Sequence, residues 1–248
     1  MQINLQVFEN GAATSRAVAE LIKEKVKATP DSEFLNIAVS GGTTPRMLFE
    51  LLGNEYETSI DWKKVRLFWV DERCVEPTDS ESNFGMTYDA LLQKTFVPGE
   101  NIFRMRGEEI PEYEAERYRD LLLKELPARG GYPVFDLILL GMGNDGHTAS
   151  IFPNELSLID SEFSVAATIN PYTLQKRITL TGNTINNAVH IVFIITGENK
   201  SQVLKEILEN NPSARNYPAA HIGNSKGKVD FFVDKIAASK LEITTKLH

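Results

Sequence analysis

Seven short apolar runs rich in β-branched residues recur along the chain: INLQVF (3–8), FLNIAVS (34–40), VRLFWVD (65–71), FDLILLG (135–141), RITLT (177–181), HIVFIIT (190–196) and KVDFFVD (228–234). Stretches with helical periodicity separate several of them. GAATSRAVAELIKEKVKA places Ala13, Ala17, Val18, Leu21, Ile22 and Val26 on one face, and PEYEAERYRDLLLKEL and ENKSQVLKEILEN repeat that pattern with charges opposite their apolar positions. Strands that alternate with such helices are apolar on both sides and must be covered on both. The chain is therefore expected to be α/β, with a mainly parallel central sheet and helices on both faces. There is no internal repeat, low-complexity tract or linker-like change of composition, and the densest turn segment, PARGGYP (127–133), reads as a loop before a core strand. One domain over 1–248 is the expectation.

Charge and cysteine content narrow the function. The net charge of −8 and a pI near 5.2 leave no overall basic field for nucleic acid or an anionic membrane. An anionic substrate would need a local cluster of positive groups. Cys74 is the only cysteine, which excludes an intrachain disulfide and a multi-cysteine metal site. The start, MQINLQVFEN, lacks the basic and long apolar segments of a secretory signal, and no apolar run approaches about 18 residues, so a cytoplasmic protein is expected.

Gly141-Met142-Gly143-Asn144-Asp145-Gly146 matches G-x-G-x-x-G directly after an apolar run. A dinucleotide fingerprint must open a helix and be followed by an acidic residue after the next strand, because the pyrophosphate rests on that helix's N-terminus. Here Pro153 arrives seven residues after Gly146, and the nearby acids follow no clear strand. The dinucleotide reading fails on context. What the loop does carry is Asp145 and His147, two apart, at the carboxyl end of a strand, where open α/β sheets bind ligands. A histidine oriented by a carboxylate suits general-base work near neutrality. The alternative is that Asp145 caps the short helix that follows and His147 is an ordinary loop residue.

Two further strand-end loops have the same character. VSGGTTPRMLFELL runs through Gly41, Gly42, Thr43 and Thr44 into a helix with Pro45 placed at its first position, and free N–H groups there suit phosphate, although Thr44 could simply cap the helix. It is not a Walker A loop. DERCVEPTDSESNFG places Asp71, Glu72 and Arg73 at a strand end, with Ser82 or Asn83 near the cap of the next helix. Arg177 begins a strand and Lys200 begins a helix, and each could be a ligand or a solvated surface charge.

The blocks SGGTTP, VDERCV…SNFG, LLGMGNDGHTASIFP, RITLT and ITGENKSQVL, over about residues 37 to 205, resemble the 6-phosphogluconolactonase family. That resemblance implies a Rossmann-like three-layer sandwich of the sugar-phosphate isomerase/CoA-transferase type. It implies hydrolysis of 6-phospho-D-glucono-1,5-lactone to 6-phosphogluconate in the oxidative pentose phosphate pathway. His147 would be the base, supported by Asp145. The substrate-binding set would be Gly41, Gly42, Thr43, Thr44, Asp71, Arg73, Gly143, Arg177 and Lys200, with some of the three basic residues on the phosphate. Asn144 stands where many members resemble GPDGH. The expected partner is a small sugar-phosphate lactone, with no nucleic acid, membrane, cofactor or metal, and the protein is expected to be a monomer or small homo-oligomer.

The chemistry agrees with this resemblance. A lactone carbonyl is already electrophilic, so hydrolysis needs a positioned water, a base and donors for the oxyanion. Neither H-E-x-x-H nor a G-x-S-x-G elbow occurs. Two rivals are glucosamine-6-phosphate deaminase and a non-catalytic sugar-phosphate-sensing domain. The deaminases resemble DGHIAFNEP, whereas this chain reads DGHTASIFP and puts Phe152 in place of the acidic residue. Sensing domains normally come attached to a DNA-binding module, for which this chain has neither spare length nor a basic patch.

Overall fold

The computed structural model describes residues 3–223 and 227–242. In chain order the elements are β1 (Ile3–Phe8), α1 (Gly11–Ala28), β2 (Leu35–Val39), α2 (Thr43–Glu55), β3 (Val65–Trp69), β4 (Asp71–Arg73), α3 (Asn83–Ala90), β5 (Ile102–Phe103), α4 (Pro111–Glu125), β6 (Ala128–Arg129), β7 (Tyr132–Pro133), β8 (Leu137–Leu140), β9 (Val165–Ile169), β10 (Lys176–Leu180), α5 (Gly182–Asn186), β11 (His190–Ile195), α6 (Ser201–Leu208) and β12 (Lys228–Asp234). Seven strands form one sheet in the order β1-β12-β11-β8-β2-β3-β5, and every pairing in it is parallel.

The residue alternation along the strands explains the layers. Leu137 and Leu139 of β8 join one apolar cluster with Ile37, Val39, Leu67 and Trp69, packed by α1 (Val18, Ile22, Val26) and α2 (Leu48, Phe49, Leu52). Ile138 and Leu140 point the other way, joining Phe68, Phe193 and Phe231 with Tyr118 and Leu122 of α4 and Leu204 and Ile207 of α6. Side chains alternate between faces with period two, so a run apolar throughout feeds both clusters. Aromatic stacking ties strands across the second face, Phe193 on Phe231 at 4.7 Å and Phe68 on Phe103 at 4.6 Å.

The strand order sets the place of the site. From β2 the chain moves outward through β3 to β5, then returns beside β2 as β8 and continues outward through β11 and β12. The direction reverses between β2 and β8, and the crevice beyond the carboxyl ends at such a point is where open α/β sheets take ligands.

Several expectations shift in detail. The 65–71 run is divided, because Val70 separates β3 from β4. The 177–181 run is a strand but lies outside the main sheet, in a three-stranded antiparallel sheet ordered β4-β10-β9. Strands β5 and β9 have no counterpart among the expected runs, and the 127–133 segment expected as a loop is a short hairpin of β6 and β7. Helix α2 begins at Thr43 with Gly42 as its N-cap, so Pro45 is its third residue and Thr44 is not the cap. Ser82 does cap α3, accepting from the Gly85 N–H at 3.0 Å. Among the described residues no helix is long and apolar enough to cross a membrane.

Candidate active site

Four neighbouring strands, β11, β8, β2 and β3, deliver their following loops to one cleft of about 210 Å³. The residues singled out from the sequence gather there: Gly41, Gly42, Thr43, Thr44, Asp71, Arg73, Gly143, His147, Arg177 and Lys200 all line it, and Asp145 stands behind His147.

After β8 the chain turns tightly through the D-G-H segment. Gly143 N–H donates to the His147 carbonyl at 2.8 Å, and Gly146 N–H to the Gly143 carbonyl at 3.2 Å. Gly146 has φ +79, and a Cβ there would lie 2.5 Å from the Tyr217 side chain. A Cβ on Gly143 would lie 2.1 Å from His147 Nδ1 and 2.5 Å from Asp145 Oδ1. Glycine at 143 is therefore what lets the two side chains meet. Asp145 Oδ1 takes the His147 backbone N–H at 3.1 Å and lies 2.6 Å from His147 Nδ1. It does not cap the turn at Pro153–Leu158, whose N-cap is Phe152. Burial works against the Asp145 charge, but the hydrogen bonds and charge of His147, with a bond from Tyr172, outweigh it and hold the carboxyl well below the usual range. When the imidazole is uncharged, an ionised Asp145 fixes its proton on Nδ1 and leaves Nε2 as the basic nitrogen. The His147 ring rests near Phe152, 5.0 Å between centroids.

The cationic part of the cleft comes from the antiparallel sheet. Arg73 of β4 is paired with Arg177 of β10 in register, which puts both side chains on one face of that sheet, and both line the cleft. Both Nε atoms are buried without a hydrogen-bond partner among the described residues. Burial and the neighbouring Arg73 charge lower the Arg177 pKa. Arg73 Nη1 donates to the Glu81 carbonyl at 2.6 Å. Lys200, its pKa lowered by burial, donates from Nζ to Asn144 Oδ1.

The β2 loop supplies neutral donors. No side chain caps α2, and its Thr43 and Thr44 N–H groups have no acceptor among the described residues. Pro45 removes the next donor, and Arg46 N–H is taken by the Gly42 carbonyl at 3.0 Å. Two free N–H groups at the positive end of a 13-residue helix favour an oxyanion. Thr44 Oγ1 shares a 2.7 Å hydrogen bond with Thr196 Oγ1.

Some roles were not legible from sequence. Asn83 packs its amide where a Cβ on Gly41 would sit, and its Nδ2 donates to Asp71 Oδ1 at 3.2 Å. Ser150 Oγ donates to Asp71 Oδ2 at 2.7 Å, so Asp71, 5% exposed, is braced from two sides. Glu72 turns away from the cleft and receives the backbone N–H groups of Asn83 and Phe84 at the start of α3. Among the described residues no cluster of three or more His, Cys, Asp and Glu could hold a metal ion.

Comparisons with known proteins identify the family. A family profile described as glucosamine-6-phosphate isomerases/6-phosphogluconolactonase matches residues 9–231. The chain belongs to this family. Among curated members of the glucosamine-6-phosphate isomerase/6-phosphogluconolactonase family, it is 42% identical over 201 residues to the 6-phosphogluconolactonase of Treponema pallidum, covering 81% of this chain and 82% of that one. It is 38% identical over 226 residues to the 6-phosphogluconolactonase of Haemophilus influenzae, covering 91% and 95%. The solved 6-phosphogluconolactonase of Trypanosoma cruzi superposes with a TM-score of 0.86 at 29% identity, covering 97% of each chain. A monomeric glucosamine-6-phosphate deaminase shares the fold, with a TM-score of 0.80 at 21% identity over 95% of this chain and 99% of that one.

Proposed function

We propose that this chain hydrolyses 6-phospho-D-glucono-1,5-lactone to 6-phosphogluconate, as a cytoplasmic single-domain enzyme. The observation that carries the reading is the 2.6 Å Asp145–His147 pair in the same cleft as Arg73, Arg177 and Lys200. The names of its relatives support the substrate.

The 6-phosphate is bound by the free N–H groups of Thr43 and Thr44, by Arg177 and Lys200, and by Arg73 beside them. Charge-assisted contacts of this kind orient the ring as well as hold it. His147 Nε2 takes a proton from water as the water oxygen attacks C1. Asp145 stabilises the imidazolium that forms. The tetrahedral intermediate collapses by breaking the bond from C1 to the ring oxygen, and that oxygen takes the proton from His147. The carboxylic acid product then loses its proton to solvent. A single proton-transfer group serves both steps. A deaminase must also shuttle a proton between C1 and C2, and the buried apolar Ile151 and Phe152 beside the dyad supply no group for that step.

The test follows the loss of freshly generated lactone against its spontaneous hydrolysis, for the wild-type protein and His147→Asn. The variant should lose roughly 10²–10⁴ in kcat, with KM within a few fold, as expected when a general base is removed. Near wild-type turnover by a folded variant removes His147 from the mechanism. Ammonia release from glucosamine 6-phosphate at a comparable rate overturns the activity itself.

A further inference from the structure

Asp145 has two carboxylate oxygens, and they are held by different parts of the chain. Oδ1 belongs to His147. Oδ2 receives the Tyr172 hydroxyl at 2.9 Å, from 27 residues away. Tyr172 sits in the turn between β9 and β10, the same hairpin that carries Arg177. Its side chain does not line the cleft, and the residue is 69% exposed, so packing does not account for its orientation.

The turn itself is tightly specified. Asn170 Oδ1 accepts the Tyr172 and Thr173 N–H groups at 2.9 and 3.2 Å. Leu174 adopts φ +59, with its N–H on the Asn170 carbonyl at 2.9 Å. Gln175 Nε2 fastens the hairpin to Glu81 Oε2 at 2.9 Å. A side-chain amide that mimics a backbone turn fixes the residues after it. Tyr172 is thus presented to Asp145 by a stiff support.

We propose that Tyr172 is a positioning residue of the hydrolase site, acting through Asp145 Oδ2 to keep the carboxylate plane turned toward His147 Nδ1. The proposal rests on the role given to His147 and Asp145 above. A terminal carboxylate torsion is broad and nearly two-fold. A carboxylate held through one oxygen alone can swing away, and the imidazole then loses the partner that selects its tautomer. A neutral phenol fits the task. It anchors the second oxygen without adding a positive charge that would compete with the imidazolium. Its own proton is retained, because the hydrogen bond to Asp145 raises its pKa.

The experiment compares Tyr172→Phe, Asp145→Ala and the double variant, each with 6-phosphogluconolactone and with unphosphorylated gluconolactone. Tyr172→Phe should lower kcat about 3- to 10-fold on both lactones and leave KM within about two-fold, the range for an exposed charge-assisted bond. In the Asp145→Ala background the same change should have no effect, because the group it acts through is gone. Unchanged kcat in Tyr172→Phe overturns the proposal. So does an equal loss in both backgrounds. A loss confined to the phosphorylated lactone also overturns it, since that pattern means the hairpin acts through Arg177. Full turnover by Asp145→Ala and His147→Asn would instead sink the catalytic reading on which the proposal stands.

Discussion

Gly143→Ala tests the dyad geometry more sharply than removal of either member. The substitution adds one methyl and removes no functional group. Its Cβ would lie 2.1 Å from His147 Nδ1, 2.3 Å from Cε1 and 2.5 Å from Asp145 Oδ1, against an ordinary contact of 3.4 Å or more. The imidazole must retreat by about 1.3 Å, further than its 2.6 Å bond to Asp145 can follow. Misplacing a reacting group by about 1 Å costs on the order of 10² in rate, which corresponds to about 2.7 kcal/mol of barrier. Gly143 is not in the left-handed region, so alanine meets no backbone strain there. We expect kcat to fall about 100-fold, with the thermal midpoint only a few degrees lower. The measurements are lactone hydrolysis corrected for the spontaneous rate and a thermal unfolding scan. A folded Gly143→Ala protein with kcat within two-fold of wild type would refute any need of the dyad for this close approach.

Two further predictions concern charge. Arg177→Ala should lower kcat/KM for the phosphorylated lactone by about 2–4 kcal/mol, with a much smaller effect on gluconolactone. Equal losses on both substrates would place Arg177 outside phosphate binding. Asp145, whose folded pKa is depressed, contributes stability that is complete above the ordinary carboxylate value of about 3.9 and is lost as pH falls toward the folded value. The gap in thermal midpoint between wild type and Asp145→Asn should therefore shrink below about pH 4. A gap that stays constant or widens down to about pH 2.5 would contradict the shift.

The parallel sheet was readable because its central strands are buried on both faces and show as unbroken apolar runs. Strand β5 has two residues, too few to form a pattern, and exists because Ile102 and Phe103 pair with Leu67 and Phe68. The antiparallel sheet hid behind polar positions. Arg177 and Thr179 alternate with Ile178 and Leu180 in β10, and only the pairing with β4 shows that Arg177 meets Arg73. The glycine loops and D-G-H were legible because they follow core strands directly. Tyr172 was not: an exposed aromatic beside a turn carries no local sign that it reaches an aspartate 27 residues earlier. The sequence offers Asn83 only as a possible cap, since its packing on Gly41 is a long-range fact.

The paired arginines, Arg73 and Arg177, have a practical consequence. Two like charges lining one cleft, close enough for Arg73 to lower the Arg177 pKa, oppose folding, and a small oxyanion bound there would relieve that opposition. The free energy of unfolding then depends on the buffer, rising by about 0.4 kcal/mol when the anion is present at its own Kd and about 2.7 kcal/mol at a hundredfold excess. Phosphate or sulfate would preserve the protein on the shelf and slow it in the cuvette, so storage and assay call for different salts.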